Sequence, residues 1–312
     1  MYTTLSLALF TLVSLLPHPT LAGGANAKHL PADARWYIHL DVEAARKTAL
    51  YAQALDLVKA QFPLEEVAAQ LKSQIGVNPL TDITAVTVYN NSFAKEVAAV
   101  VIYARVDAGL LNNAIAQNPG YKETAYGKHT LLEWTDNNDG KQKNGCFYGD
   151  GIVLMADKPD TLKLAVDTLD GAHPAGSALV KPAPPGAFLY GSADLAQSDD
   201  KNVSQLLSNS EAANAHVAEQ DGNLVLTVNL TARTTEQAAQ IKKMIDGVKA
   251  FGQLATRDFP TASSLIEKLQ VVADGAKVTA TFQHPSSTIL QTLQKLDQEK
   301  KAKLAKPQPN GL

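Results

Sequence analysis

Two stretches of related sequence decide the fold. Residues 31–41 are PADARWYIHLD, and residues 184–194 are PPGAFLYGSAD. They align without a gap at an offset of 153 residues and agree at a proline, an alanine, a tyrosine and the closing aspartate. Each stretch is a short run of strand-forming residues that ends at an acid suited to start a helix. We therefore predict that the chain contains the same architecture twice.

The order of predicted elements supports a duplication. Each half is predicted as a strand, helices, a strand hairpin, a helix, closing strands and a last helix. Ala104–Arg105 and Ala232–Arg233 end the hairpins of the two halves, and the first half has a further hairpin at 121–135. Helical structure is expected from Asp194 to about Asn214. The patterns predict an α+β fold with two related halves, each a mainly antiparallel sheet with helices packed on one face.

Composition shifts along the chain predict its domain boundaries. A stretch rich in Pro, Gly and Ala separates the halves, and a polar, lysine-rich stretch ends the chain. The predicted division is a signal peptide at 1–22, a first α+β repeat at 23–170, a linker at 171–186, a second repeat at 187–296 and a disordered tail at 297–312.

The amino-terminal residues have the pattern of a secretory signal. Residues 5–16 form a mostly apolar run, which is too short to span a bilayer, and Pro17 and Pro19 end it. Small residues at 20–22 then offer a cleavage site before Gly23. We expect export to the periplasm or the cell exterior, a soluble mature chain and no transmembrane segment.

Charge and cysteine content narrow the classes of partner. The net charge is −3, and the basic residues do not form a stripe with interleaved aromatics. This balance argues against nucleic acid as a partner. The single cysteine, Cys146, has no partner for an internal disulfide and lies in a predicted strand, so we expect a buried thiol.

Three residues are candidates for a cleft: His39, Asp41 and Asp194. The two aspartates end equivalent strands and are expected to cap helices, although paired carboxylates also act as acid–base groups or bind cations. His39 alternates with Tyr37 on a predicted strand, and its side chain is predicted to face solvent or a cleft. We expect a structural histidine.

No motif assigns a reaction, a cofactor or a metal. The chain has no nucleophile elbow, phosphate loop, dinucleotide fingerprint or zinc-ligand spacing. Asp136–Gly140 (DNNDG) is similar to the start of a calcium loop but is one residue short before the glycine, and Phe147 stands where the loop has glutamate. We expect a polar hairpin tip, with no catalytic residue, cofactor or metal site.

The opening of the mature chain resembles a known group of sequences. Leu30–Asp41 (LPADARWYIHLD) has the pattern L-P-x-D-A-x-W-x-x-H-x-D. It resembles the start of uncharacterised exported proteins of planctomycete-like and verrucomicrobia-like bacteria. The resemblance implies a bacterial, non-cytoplasmic protein and transfers no functional residue.

The sequence thus favours a non-enzymatic binding or interaction protein of the periplasm or envelope, acting on a small molecule or an envelope protein. Two alternatives stay open. One is a carrier of an apolar or lipid ligand, held between a curved sheet and its helices, since small apolar side chains are abundant. The other is a hydrolase whose His and Asp residues meet only in the fold.

Overall fold

The structure is a computed structural model that describes residues 24–93, 98–137, 139–196 and 209–304. The predicted α+β fold class is confirmed, because antiparallel strands and helices alternate along the chain. The strands of the first half are β1 Trp36–Asp41, β2 Ile83–Asn90, β3 Ala99–Ala104, β4 Lys122–Tyr126, β5 His129–Thr135, β6 Gln142–Tyr148 and β7 Ile152–Ala156. Those of the second half are β8 Ala187–Asp194, β9 Ser210–Gln220, β10 Asn223–Ala232, β11 Gln270–Asp274 and β12 Lys277–Pro285.

The helices connect these strands and start at the caps that the sequence offers. Side chains of Asp41, Thr48, Asp107 and Thr234 accept hydrogen bonds from first-turn backbone N–H groups. The helices are α1 Val42–Arg46, α2 Ala49–Lys59, α3 Leu64–Ile75, α4 Ala108–Ile115, α5 Pro159–Asp170, α6 Thr235–Ala255, α7 Pro260–Glu267 and α8 Ile289–Leu304.

The two halves join in one sheet. The described residues form a 12-stranded sheet in the order β11-β12-β10-β9-β8-β1-β2-β3-β7-β6-β5-β4. Counted outwards from the contact between β1 and β8, the halves have the same strand order, and the hairpin of β4 and β5 is the extra edge of the first half. The sequence predicted two related sheets, and the antiparallel pairing of β1 with β8 makes them continuous.

Strand register and a shared irregularity relate the halves residue by residue. Tyr37 and Tyr190 lie on β1 and β8 four residues before Asp41 and Asp194. Each half has one extra residue in its second strand, at Thr84 opposite Tyr103–Ala104 and at Glu211 opposite Thr231–Ala232. In each half the bulge lies opposite the alanine of the Ala-Arg dipeptide, which is Ala104 in the first half and Ala232 in the second.

A pseudo-twofold axis passes through the pair Ile38 and Gly191. These residues face each other in the β1–β8 ladder, and the offset of 153 residues exchanges them. A Cβ atom on Gly191 would lie 2.3 Å from the carbonyl oxygen of Tyr37. A side chain at this position would therefore force the two strands apart.

The sheet has two faces with different coverings. The tyrosine face carries the side chains of Tyr37, Tyr89, Tyr103 and Tyr190, and α5 packs on it through Leu162, Ala165 and Val166. The groove face carries those of Trp36, Ile38, Ala213 and Leu230, and α6 packs on its outer part through Ala238 and Ile241. The sheet thus has a core on each face: the first half forms most of the core on the tyrosine face, together with Ala187, Tyr190 and Ala218, and the second half forms the core on the groove face.

Two predicted elements need correction. Residues 210–214 are strand rather than helix, because β9 pairs with both β8 and β10 and this pairing overrides the helix propensity of its alanines. The prediction for 197–208 lies outside the described residues. The tail predicted from 297 is helical to Leu304, where Asp297 pairs with Lys301 at 2.7 Å and Glu299 accepts a bond from Thr261. The signal peptide and residues 305–312 also lie outside the described range.

The predicted burial of Cys146 is confirmed. Its side chain is buried on the tyrosine face beside Leu154 and Leu131. Burial raises the pKa of the thiol to about 11, so the reactive thiolate is scarce at neutral pH.

Replacing Gly191 by alanine tests the close approach of β1 and β8. We expect Gly191→Ala to lower the free energy of unfolding by about 1–3 kcal/mol, because the added methyl group meets backbone that has no room to move. The matched control is Gly247→Ala in α6, where nothing lies within 4 Å of the added Cβ. That variant should gain about 0.5–1 kcal/mol. Urea unfolding measures both, and equal effects of the two changes would contradict the account.

Candidate functional site

Asp41 and Asp194 act as caps and lie far apart. Asp41 Oδ1 accepts a hydrogen bond from the backbone N–H of Ala44 at 2.8 Å, and Asp194 Oδ1 accepts one from Ala196 at 3.0 Å. Asp194 also lies 3.7 Å from the Nε of Arg35, opposite it across the seam. Arg35 and Asp41 are six residues apart on one strand, so the two carboxylates are separated by about 20 Å. They share neither a cation nor a substrate.

His39 is enclosed in the core rather than open to a cleft. Its side chain is 1% exposed on the tyrosine face, where Nδ1 lies 2.8 Å from the hydroxyl of Thr87 and the ring lies 5.1 Å from that of Tyr190. The Nε2 atom is buried without a partner among the described residues. Burial lowers the pKa of His39, and the charge of Asp41 opposes this only in part. The structure therefore does not bring the three predicted candidates into one cleft.

A network of tyrosines closes the tyrosine face. Tyr37 and Tyr190 meet edge to face, and the hydroxyl of Tyr190 accepts a bond of 2.6 Å from the backbone N–H of Ala25. Tyr103 bonds to His29 at 2.9 Å, and burial raises the pKa of Tyr103 to about 12. The segment 24–34 is thereby held over the sheet, and the connector 171–186 packs against it through backbone bonds such as that from Ala32 to Pro174. Over Tyr37, Tyr103 and Tyr190, this face of the sheet is therefore covered.

The Asp136–Gly140 segment forms the tip of the hairpin between β5 and β6. Asp139 accepts a bond from the backbone N–H of Lys141 at 2.9 Å and lies 3.4 Å from Lys143. The backbone bond, aided by the lysines, lowers the pKa of Asp139. Among the residues that the structure describes, no three His, Cys, Asp or Glu side chains are grouped to hold a metal ion.

A polar cluster around Asp170 was not predicted from the sequence. Asp170 lies 2.9 Å from Nε2 of His129 and 3.0 Å from Nζ of Lys128, and accepts a bond of 2.8 Å from Tyr148. Burial opposes ionisation, but these three donors hold the pKa of Asp170 below its usual value. His129 and Asp170 are 41 residues apart, and no local spacing predicts their contact.

The Asp170 cluster connects the end of α5 to the sheet. Tyr126 donates to Asp167 one turn earlier at 2.9 Å, so two acids at the end of α5 are tied to sheet tyrosines. The adjoining cleft has a volume of about 690 Å³. Its lining includes His129, Thr130 and Tyr148 but neither Ser nor Cys.

An apolar groove lies on the groove face, directly over the seam. Its volume is about 350 Å³. Small residues of β8 and β9 form the floor, namely Gly191, Ala193, Ala213 and Ala215. Larger apolar residues of β1, β8, β9 and β10 surround this floor, namely Trp36, Ile38, Leu189, Val217, Leu226 and Val228. The sequence predicted room beside small apolar side chains, but it did not locate the groove.

Among the described residues, the groove is left open because α6 covers only part of the groove face. Leu230 and Val278 are buried under α6, whereas Ile38 is 50% exposed and Leu226 is 38% exposed. Tyr37, Tyr190, Ser192, Asn214 and His216 also border the groove, but strand alternation turns their side chains to the other face. The groove therefore presents backbone and apolar side chains only.

Comparisons with known proteins give no family. No protein-family model matches the chain, and no curated protein matches it. Among solved structures, crystal form I of TP0453 is similar with a TM-score of 0.46 and 9% identity, over 87% of this chain and 97% of that one. Crystal form IV of TP0453 has a TM-score of 0.44 and 10% identity, over 86% and 96%. No helix of the described residues is long and apolar enough to cross a bilayer.

The burial of His39 predicts a loss of stability in acid. Because its folded pKa lies below the unfolded value of 6.5, its contribution is complete above pH 6.5 and is lost as the pH falls from there through the folded pKa. We expect the free energy of unfolding in urea to fall between pH 7.5 and 5, and to fall less in His39→Gln. His29 and His216 have lowered pKa values for the same reason and leave a remaining slope. Parallel pH profiles of variant and wild type would contradict this assignment.

Proposed function

We propose that this protein is an exported, non-enzymatic binding protein whose ligand lies in the groove over the β1–β8 seam. The observation that carries the proposal is the groove itself, an apolar surface at the centre of the sheet, opposite the covered tyrosines Tyr37 and Tyr190. Exposed apolar side chains such as Ile38 and Leu226 cost free energy in water, and a ligand that covers them recovers it. Pockets of such size and lining are typical of ligand sites.

The distribution of titratable groups supports a binding role over a catalytic one. Among the residues that the structure describes, no acid, base or nucleophile extends a side chain into the groove. The polar groups that the fold brings together elsewhere have structural partners: Asp41 caps α1, and Asp170 accepts bonds that hold α5. General acid–base catalysis requires a group within hydrogen-bond reach of the substrate, and the groove offers none.

The amino-terminal sequence supports the cellular setting of the proposal. The apolar run at 5–16 and the small residues at 20–22 are typical of a cleaved leader. A mature chain that begins near Gly23 would retain the segment from Ala25 to Leu30, which packs against Tyr190 and the connector. Cleavage at this point would keep all the described residues, which begin at Gly24, in the mature chain.

A charge placed in the groove tests the site. We expect Ile38→Asp to weaken the binding of Nile red, an uncharged dye that fluoresces in apolar sites, by at least about tenfold, because a ligand would bury an unpaired charge. The matched controls are Val272→Asp on the opposite face and Phe251→Asp on α6, two exposed apolar residues outside the groove. Each should change the affinity by less than about twofold.

Fluorescence titration of the mature proteins measures these affinities, and circular dichroism confirms that each variant is folded. If Val272→Asp or Phe251→Asp weakened dye binding and Ile38→Asp did not, the groove would not be the binding site and the proposed function would fail.

A further inference from the structure

We infer that the ligand of the groove is a single lipid acyl chain. This inference rests on the proposed function and names the class of ligand that the groove accepts. It follows from three properties of the groove: the state of its backbone, the chemistry of its lining and the shape of its floor.

The backbone of the groove is fully engaged within the sheet. β1 pairs with β2 and β8, β8 with β1 and β9, β9 with β8 and β10, and β10 with β9 and β12. None of these strands is an edge, so an extended peptide finds no ladder to join. A peptide laid across them would leave its own N–H and C=O groups unpaired, at a cost of the order of a lost hydrogen bond for each. A ligand without hydrogen-bonding groups has no such cost.

The side chains of the groove select against charge. The residues that face the groove are Gly, Ala, Val, Leu, Ile and Trp. The indole N–H of Trp36 is already engaged, because it donates to the carbonyl of Ser92 at 2.8 Å. A charged or strongly polar ligand would lose hydration here with nothing in return. A saturated chain loses nothing, and its removal from water is favourable.

The shape of the groove fits one chain rather than a helix. The floor consists of two residues on each of two neighbouring strands. Gly191 and Ala193 of β8 lie beside their partners Ala215 and Ala213 of β9. The side walls stand on β1 and β10, at Ile38 and Val228, three strand spacings or about 14 Å apart between backbones. Once the wall side chains occupy part of this width, a helix of about 10–12 Å diameter does not reach the floor. An extended hydrocarbon chain does.

A chain-length series tests the inference on the wild-type mature protein. The experiment measures how well straight-chain 1-alcohols of six to twelve carbons displace Nile red. We expect the affinity of the alcohol to rise about fourfold for each added methylene until the groove is filled. A carboxylic acid of the same length should bind within about threefold of its alcohol, because the head group remains in solvent.

A matched pair of variants locates the chain. Ala215→Phe fills the floor and should weaken binding of 1-decanol at least about tenfold, whereas Val272→Phe adds the same ring to the opposite face and should leave it within about twofold. If Ala215→Phe fails to fold, the chain-length series on the wild type still decides the question.

The outcomes separate this inference from the proposed function. The inference that the ligand is an acyl chain would be wrong if the affinities of the alcohols did not depend on chain length. It would also be wrong if the Ala215→Phe variant bound 1-decanol like the wild type. If an amphipathic helical peptide competed with Nile red while the alcohols did not, and Ile38→Asp abolished that competition, the groove would remain the site and only its occupant would be wrong.

Discussion

The antiparallel pairing of β1 with β8 is the constraint on which the rest of the structure depends. Without it, each half would expose the backbone of its first strand as an edge. The pair Ile38 and Gly191 lies on the pseudo-twofold axis, and Gly191 allows the two backbones to approach to normal ladder distance. The duplicated halves thus become one sheet, and its middle, rather than a gap between domains, becomes the place where a ligand could meet both.

The same residues that form this pairing give its two faces opposite properties. On one face, His39 packs against Tyr190 under the segment 24–34, and water is excluded. On the other, none of the described residues covers Ile38 and the small residues beside it, since α6 lies further out along the sheet. This asymmetry supports the proposed binding role of the groove, and the structural role of His39 follows from its burial.

Much of the fold could be predicted from the sequence, because it depends on local patterns and on the repeat. The aspartates at 41 and 194 lie at equivalent strand ends, as predicted. The groove could not be predicted, because it depends on pairing between strands 153 residues apart and on where α6 lies. The contact of His129 with Asp170 could not be predicted either, because it joins residues 41 positions apart in the chain. The alanines at the start of β9 favour a helix, and that prediction is wrong because strand pairing with β8 and β10 outweighs their helix propensity.

Native-state hydrogen exchange of the mature chain measures the central claim most directly. If β1–β8 pairing holds the halves in one cooperative sheet, the amides of Tyr37, His39 and Tyr190 exchange only through global unfolding and are as protected as those of β3. The edge strands β4 and β11 then exchange faster, through local opening. Seam amides that exchange as fast as the edges, while β3 and β10 stay protected, would contradict the claim, since the halves would then open independently.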